Sequence, residues 1–112
     1  MINYPSRHSE AEVQTELYNY LHSLGIDARL QVRATANGRD CKLDVVVFVD
    51  KIARVIVECK SWSRMYSRVR FYQLAKNTKQ IKKYEQFDVP VFICGRMESI
   101  PHVIELVTDV IW

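Results

Sequence analysis

The chain has 112 residues, of which 48% are hydrophobic and 26% charged, with a formal net charge of +3. That length suits one domain with its own core, and the composition is that of an ordinary globular chain, without internal repeats, low-complexity stretches or a disulfide framework. No apolar run reaches the length of a membrane span, and the polar N-terminus lacks an apolar targeting core, so a cytoplasmic location is expected.

Ser9-Glu10-Ala11-Glu12 has the spacing of a capping box, with Ser9 as N-cap and Glu12 reaching back. A helix is expected from there to about Leu24, with Gly25 as its stop. Val13, Leu17, Tyr20, Leu21 and Leu24 recur at helical spacing and predict its buried face. Glu16 falls about 60° from Val13 at 100° per residue, which predicts a place at the core boundary.

Residues 26–33 alternate apolar and polar, the pattern of a half-exposed strand. Asn37-Gly38 marks a turn. Two apolar runs follow, Leu43 to Val49 and Ala53 to Lys60, separated by Asp50-Lys51. Both are too short for helices and rich in Val and Ile. They predict adjacent strands joined by a tight turn and buried on both faces. Period two puts Asp44 with Val46 and Phe48, and puts Glu58 and Lys60 with Ile56. If these strands form a hairpin, Asp44 and the Glu58/Lys60 pair share one end of the sheet.

Residues 61–70 are expected to form a basic loop carrying Trp62 and Tyr66. A helix is expected over 71–87, with Gln73, Asn77, Gln80 and Tyr84 in one stripe and Lys76, Lys79 and Lys83 in another. Val89 to Cys94 predicts a further buried strand, closed by Gly95. Ile100 to Val110 predicts a last helix that tolerates Pro101 in its first turn. The order is helix, three strands, helix, strand, helix, an α/β domain spanning residues 1–112. The strand-helix-strand passage predicts a parallel pairing of the last two strands.

Cys41, Cys59 and Cys94 are odd in number and dispersed, which suggests neither a disulfide framework nor a zinc site. Cys59 and Cys94 fall in apolar runs and are expected to act as small core hydrophobes. His8, His22 and His102 form no cluster and are expected at the surface.

Charge is unevenly distributed. From Lys60 to Tyr84 there are eight Lys and Arg and no Asp or Glu, a local +8 that leaves −5 for the remainder. A polyanionic partner is expected for such a segment. Immediately before it stand Asp44, Glu58 and Lys60. Charges at the ends of buried strands are costly unless paired. Hard carboxylate oxygens suit Mg²⁺, which keeps several waters and shares the rest with phosphate. Bound metal would polarise a phosphodiester and activate water. Lys60 would orient that water and offset transition-state charge, and the backbone carbonyl of Cys59 is available as a third ligand. A plain salt bridge from Lys60 to either acid is the competing reading. The basic segment that follows favours the first.

An acid followed by Glu-x-Lys in this element order resembles the PD-(D/E)xK nuclease superfamily over nearly the whole chain. The resemblance implies a restriction-endonuclease-like core, with a central mixed sheet flanked by helices. It implies Asp44 and Glu58 as metal ligands, Lys60 as the catalytic lysine and Glu16 as an auxiliary helical acid. Leu43 stands where the family motif has Pro. Gln80 and Tyr84, followed by Val89-Pro90-Val91-Phe92-Ile93, resemble the Gln-x-x-x-Tyr helix and next strand of the RecB-like branch, also seen in type I restriction motor subunits. By that resemblance Gln80 and Tyr84 border the active site, with Gln73 a weaker neighbour.

The resulting expectation is an endodeoxyribonuclease using Mg²⁺, with Mn²⁺ able to substitute. Arg64, Arg68, Arg70, Lys76, Lys79 and Lys83 would hold DNA phosphates with little sequence readout. Cutting two strands needs two sites, which makes a homodimer the natural assembly. A structure-specific nuclease resembling Holliday-junction resolvases is the nearest enzymatic alternative, and a non-catalytic nucleic-acid-binding module is the alternative outside enzymes.

Overall fold

The computed structural model describes residues 8–36, 38–61 and 88–112. Its elements are α1 (Glu10–Ser23), β1 (Asp27–Ala36), β2 (Arg39–Val49), β3 (Ile52–Cys59), β4 (Val91–Cys94), a 3-10 turn (Met97–Ser99) and α2 (Ile100–Ile111). The strands form one sheet in the order β1-β2-β3-β4. The first two junctions are antiparallel, and β3 pairs with β4 in parallel. This is an α/β domain with a mixed sheet. The helix expected over 71–87 lies outside the described residues, together with Trp62, Arg64, Tyr66, Arg68, Arg70, Gln73, Lys76, Lys79, Gln80, Lys83 and Tyr84.

The capping box forms as spaced. Ser9 Oγ accepts the Glu12 N–H at 3.1 Å, and Glu12 Oε1 accepts the Ser9 N–H at 3.0 Å. Two otherwise orphaned donors of the first turn are thereby satisfied. Those hydrogen bonds hold the Glu12 carboxyl below its ordinary range, the backbone N–H of Ser9 contributing most and His8 and the Ser9 hydroxyl adding to it. The helix ends at the Leu24 cap, and Gly25 follows at φ 77°, where a side chain would be strained.

The buried stripe of α1 is narrower than its apolar pattern suggests. Val13, Leu17 and Leu21 are buried, but Tyr20 and Leu24 are 43% and 41% exposed, and Glu16 is exposed with them. These three fall on one i, i+4, i+8 line, one flank of the helix. The opposite flank is held down instead. Gln14 accepts a hydrogen bond from the Gln31 side chain at 3.0 Å, and the Tyr18 ring packs against the core and lies 4.3 Å from the His22 ring. Anchoring that flank to β1 rolls Glu16, Tyr20 and Leu24 outward.

Two apolar clusters cover the two faces of the sheet. The first joins Val45, Val47, Val55, Val57, Cys59, Phe92 and Cys94 to α1 and to Ile100, Val103, Ile104 and Val107 of α2. The second gathers Leu43, Val46, Ile56, Val91 and Ile93. Burial on both faces is why β2, β3 and β4 have continuous rather than alternating apolar runs. Cys59 and Cys94 are fully buried and behave as the small hydrophobes expected.

The first hairpin is longer than the apolar pattern predicts. Its pairing runs to Ala36↔Arg39, so β1 passes residue 33 and β2 begins before Leu43. Backbone bonds of a hairpin form whatever the polarity of Thr35, Arg39 and Asp40, and hydropathy therefore misses its tip. The second hairpin turns through Asp50 and Lys51 at φ 52° and 68°. Positive φ at both central residues is the type I′ turn, whose twist matches the flanking strands.

Candidate active site

The β2–β3 ladder ends at the pair Val45↔Val57. One further step in that register puts Asp44 directly across from Glu58, and directly opposed residues of an antiparallel pair share a face. The ladder stops here because the Asp44 side chain takes over. Its Oδ2 accepts the backbone N–H of Cys59 at 2.9 Å. A side-chain oxygen thus fills the place of a strand carbonyl.

The reason lies in the twist of the first hairpin. Leu43 enters the second apolar cluster and Val45 the first, although two residues of like parity normally share a face. Gln31, the residue of β1 facing Asp44, has φ 52° and is skipped in the pairing between Leu30↔Val45 and Val32↔Leu43. Asp44 sits at this break in the pleat, where the carboxylate can turn toward the neighbouring strand.

The Glu58-Cys59-Lys60 tripeptide is held from both sides. Asp44 fixes the Cys59 N–H on the β2 side. On the β4 side the Lys60 N–H donates to the Cys94 carbonyl at 2.9 Å, which extends the parallel register Glu58↔Ile93 and Cys59↔Cys94. Alternation along β3 places Glu58 with Ile56, on the side of the second cluster. Glu58 is only 9% exposed, Asp44 is half-buried and so is Lys60. Ser61 follows and donates its hydroxyl to the His8 carbonyl, which ties the exit of β3 to the start of α1.

Burial raises the Cys59 thiol far above its ordinary range, with Cys94, Asp44, Glu58 and Glu10 adding to the effect. Burial likewise pushes Cys94 up to about 12. Both thiols are protonated at neutral pH, so neither is a nucleophile. Glu16 stands exposed on α1, beside a surface depression of about 400 Å³ lined by His8, Ala11, Glu12, Thr15 and Met97.

Among the described residues, no group of three or more His, Cys, Asp or Glu is arranged to hold a metal. The contact the structure does show is Asp44 with the backbone of Cys59, the neighbour of Glu58, while Glu16 is exposed on α1. Two carboxylates still fit Mg²⁺, which binds through one or two protein carboxylates and completes its shell with water and phosphate. Asp44 gives one oxygen to Cys59 and keeps the other. Among the described residues no helix is long and apolar enough to cross a membrane. No family model, curated protein or solved structure matches this chain.

Proposed function

We propose that the chain is a Mg²⁺-dependent DNA endonuclease of the PD-(D/E)xK kind, with a restriction-endonuclease-like core. The observation that carries the reading is the convergence of Asp44 with the Glu58-Cys59-Lys60 tripeptide at one end of a mixed sheet. Strand pairing brings together residues 14 apart in sequence, and the Asp44 hydrogen bond fixes their spacing.

In this reading Asp44 and Glu58 hold the cation. The Cys59 carbonyl is a candidate third ligand, since N–H and C=O of one extended residue look toward the same strand edge. Bound metal would polarise the scissile phosphate and lower the pKa of an attacking water. Lys60 orients that water and offsets negative charge as the phosphate is attacked. The basic segment after Lys60 would hold the DNA backbone, and Gln80 and Tyr84 enter by the resemblance. The exposed position of Glu16 lends no support to its role as auxiliary acid, so the reading rests on Asp44, Glu58 and Lys60.

Supercoiled plasmid incubated with the protein tests the proposal. Nicking is expected with Mg²⁺ or Mn²⁺ and is expected to vanish with chelator or in Lys60→Ala. Nicking that survives both treatments overturns the metal mechanism. Tight DNA binding without cutting under either metal identifies a binding module instead.

A further inference from the structure

We propose that Ser61 is a positioning residue for Lys60: its hydroxyl, held on the His8 carbonyl, fixes the backbone from which the Lys60 ammonium reaches the site. The proposal rests on the nuclease reading and adds a residue that reading does not use. Three consecutive residues are anchored here to three different elements. The Cys59 N–H donates to Asp44 of β2, the Lys60 N–H to the Cys94 carbonyl at the end of β4, and the Ser61 hydroxyl to the His8 carbonyl ahead of α1.

Lys60 needs such support because the strand ends before it. β3 stops at Cys59, and its pairing with β2 already stops at Val57. Alternation turns Lys60 to the side of Glu58 only while the backbone stays extended. With its N–H anchored alone, Lys60 can still turn about φ, which swings Cβ and the whole side chain. The Ser61 anchor on the far side of Lys60 removes that freedom. The stakes are high for a reacting group, since a displacement of about 1 Å can cost on the order of 100-fold in rate.

The support is itself stiff. His8 precedes the N-cap Ser9, and the capping box ties Ser9 to Glu12 through both its N–H and its hydroxyl. The His8 ring also lies against Glu12, with Nδ1 3.4 Å from Oε2. The carbonyl that receives Ser61 is therefore set by α1, which packs into the first cluster through Val13 and Leu17. A hydroxyl that only had to be satisfied could use water at the half-buried position of Ser61. Its partner is instead a carbonyl 53 residues away in sequence, on a separately packed element.

The test is single-turnover nicking of supercoiled plasmid by the full chain in saturating excess with Mg²⁺, with plasmid affinity measured in chelator. Ser61→Ala is expected to slow nicking by about 3- to 10-fold, the net worth of one hydrogen bond expressed as a rate. Its plasmid affinity and half-maximal Mg²⁺ should stay within about twofold of wild type, because Asp44 and Glu58 are untouched. Ser61→Thr keeps the hydroxyl and should recover most of the rate. A merely structural role would lower the melting temperature without this split between rate and binding. A folded Ser61→Ala with the wild-type rate overturns the proposal, as does a Ser61→Thr as slow as Ser61→Ala, or a loss confined to affinity or Mg²⁺ demand. Hydrogen exchange at the Lys60 N–H reads the anchor without any cleavage. Ser61→Ala should speed it by about 3- to 10-fold while the Val46 and Val47 amides keep wild-type protection. Unchanged protection at Lys60 also overturns the proposal. A wild type that never nicks, with faster Lys60 exchange in Ser61→Ala, overturns the nuclease reading and supports the anchor alone.

Discussion

Asp44 Oδ2 accepts the backbone N–H of Cys59 at 2.9 Å, so a carboxylate from β2 closes the hydrogen-bonding edge of β3. The contact has two jobs. It satisfies a donor where the strand ladder ends, and it holds the carboxylate beside Glu58 and Lys60. Stability and chemistry at this residue can therefore be separated by substitution.

Asp44→Ala should cost about 1–3 kcal/mol, because the Cys59 N–H is left without its acceptor. Asp44→Asn keeps an acceptor oxygen and should cost less than half as much. Urea unfolding of the three proteins checks this. Equal losses for Ala and Asn would show that the hydrogen bond carries no stability.

On the nuclease reading, Asp44→Asn should nevertheless lose cleavage by about 100-fold or more, since an amide is a poor ligand for Mg²⁺. Plasmid nicking by a folded Asp44→Asn at the wild-type rate would remove Asp44 from the site.

The roll of α1 predicts unequal costs along its apolar residues. Leu17→Ala should destabilise by about 2–5 kcal/mol as a core truncation. Leu24→Ala and Tyr20→Ala should each stay near about 1 kcal/mol or below, as changes at exposed positions. Chemical denaturation measures both, and a Leu24 cost matching that of Leu17 would contradict the exposed flank.

Acid stability should carry a signature of the capping box. The Glu12 carboxyl is held below its unfolded value, chiefly by the Ser9 backbone N–H. Its contribution is present above the unfolded carboxylate range and is lost as pH falls through the lower, folded value. Glu12→Gln retains a capping side chain but does not titrate. Stability of wild type should therefore fall more between about pH 5 and pH 3 than that of Glu12→Gln. Parallel curves would show that the hydrogen bonds leave Glu12 unperturbed.

Alkali acts on the other side. Burial pushes Cys94 up to about 12 from an ordinary 9.0. The raised thiol stabilises fully below its unfolded pKa, and that stability is lost as pH rises toward the folded value. Stability should decline above about pH 9. In the native protein at pH 8, an aromatic disulfide reagent should modify half-buried Cys41 ahead of fully buried Cys59 and Cys94. Prompt reaction of all three would mean that the strand ends open freely.

Lys51→Gly should stabilise by about 0.5 kcal/mol. Lys51 sits at φ 68°, where a side chain is strained by about 1 kcal/mol, and Asp-Gly is the favoured type I′ pair. A lower melting temperature for the variant would show that the turn draws on the lysine in another way.

Much of this architecture is written in local pattern. The capping box, the Gly25 stop, the doubly buried runs of β2 and β3 and the short β4 follow from capping chemistry, conformational freedom and hydropathy period, all of which act over a few residues. The same reasoning expected Asp44 and Glu58 at one end of the sheet if the two runs form a hairpin, and left the register open. Other features depend on contacts between distant segments. The Gln14–Gln31 hydrogen bond helps to roll α1 and carries Glu16 outward, while the Ser61–His8 contact brings the start of α1 to the exit of β3. The break in the pleat at Gln31 and Asp44 reverses the faces of the first hairpin, leaving Arg33 opposite Lys42 on an exposed surface. Periodicity reports which side chains seek burial. Only the packing of one element on another decides how far a helix rolls, where a strand twists and which charges end up facing each other.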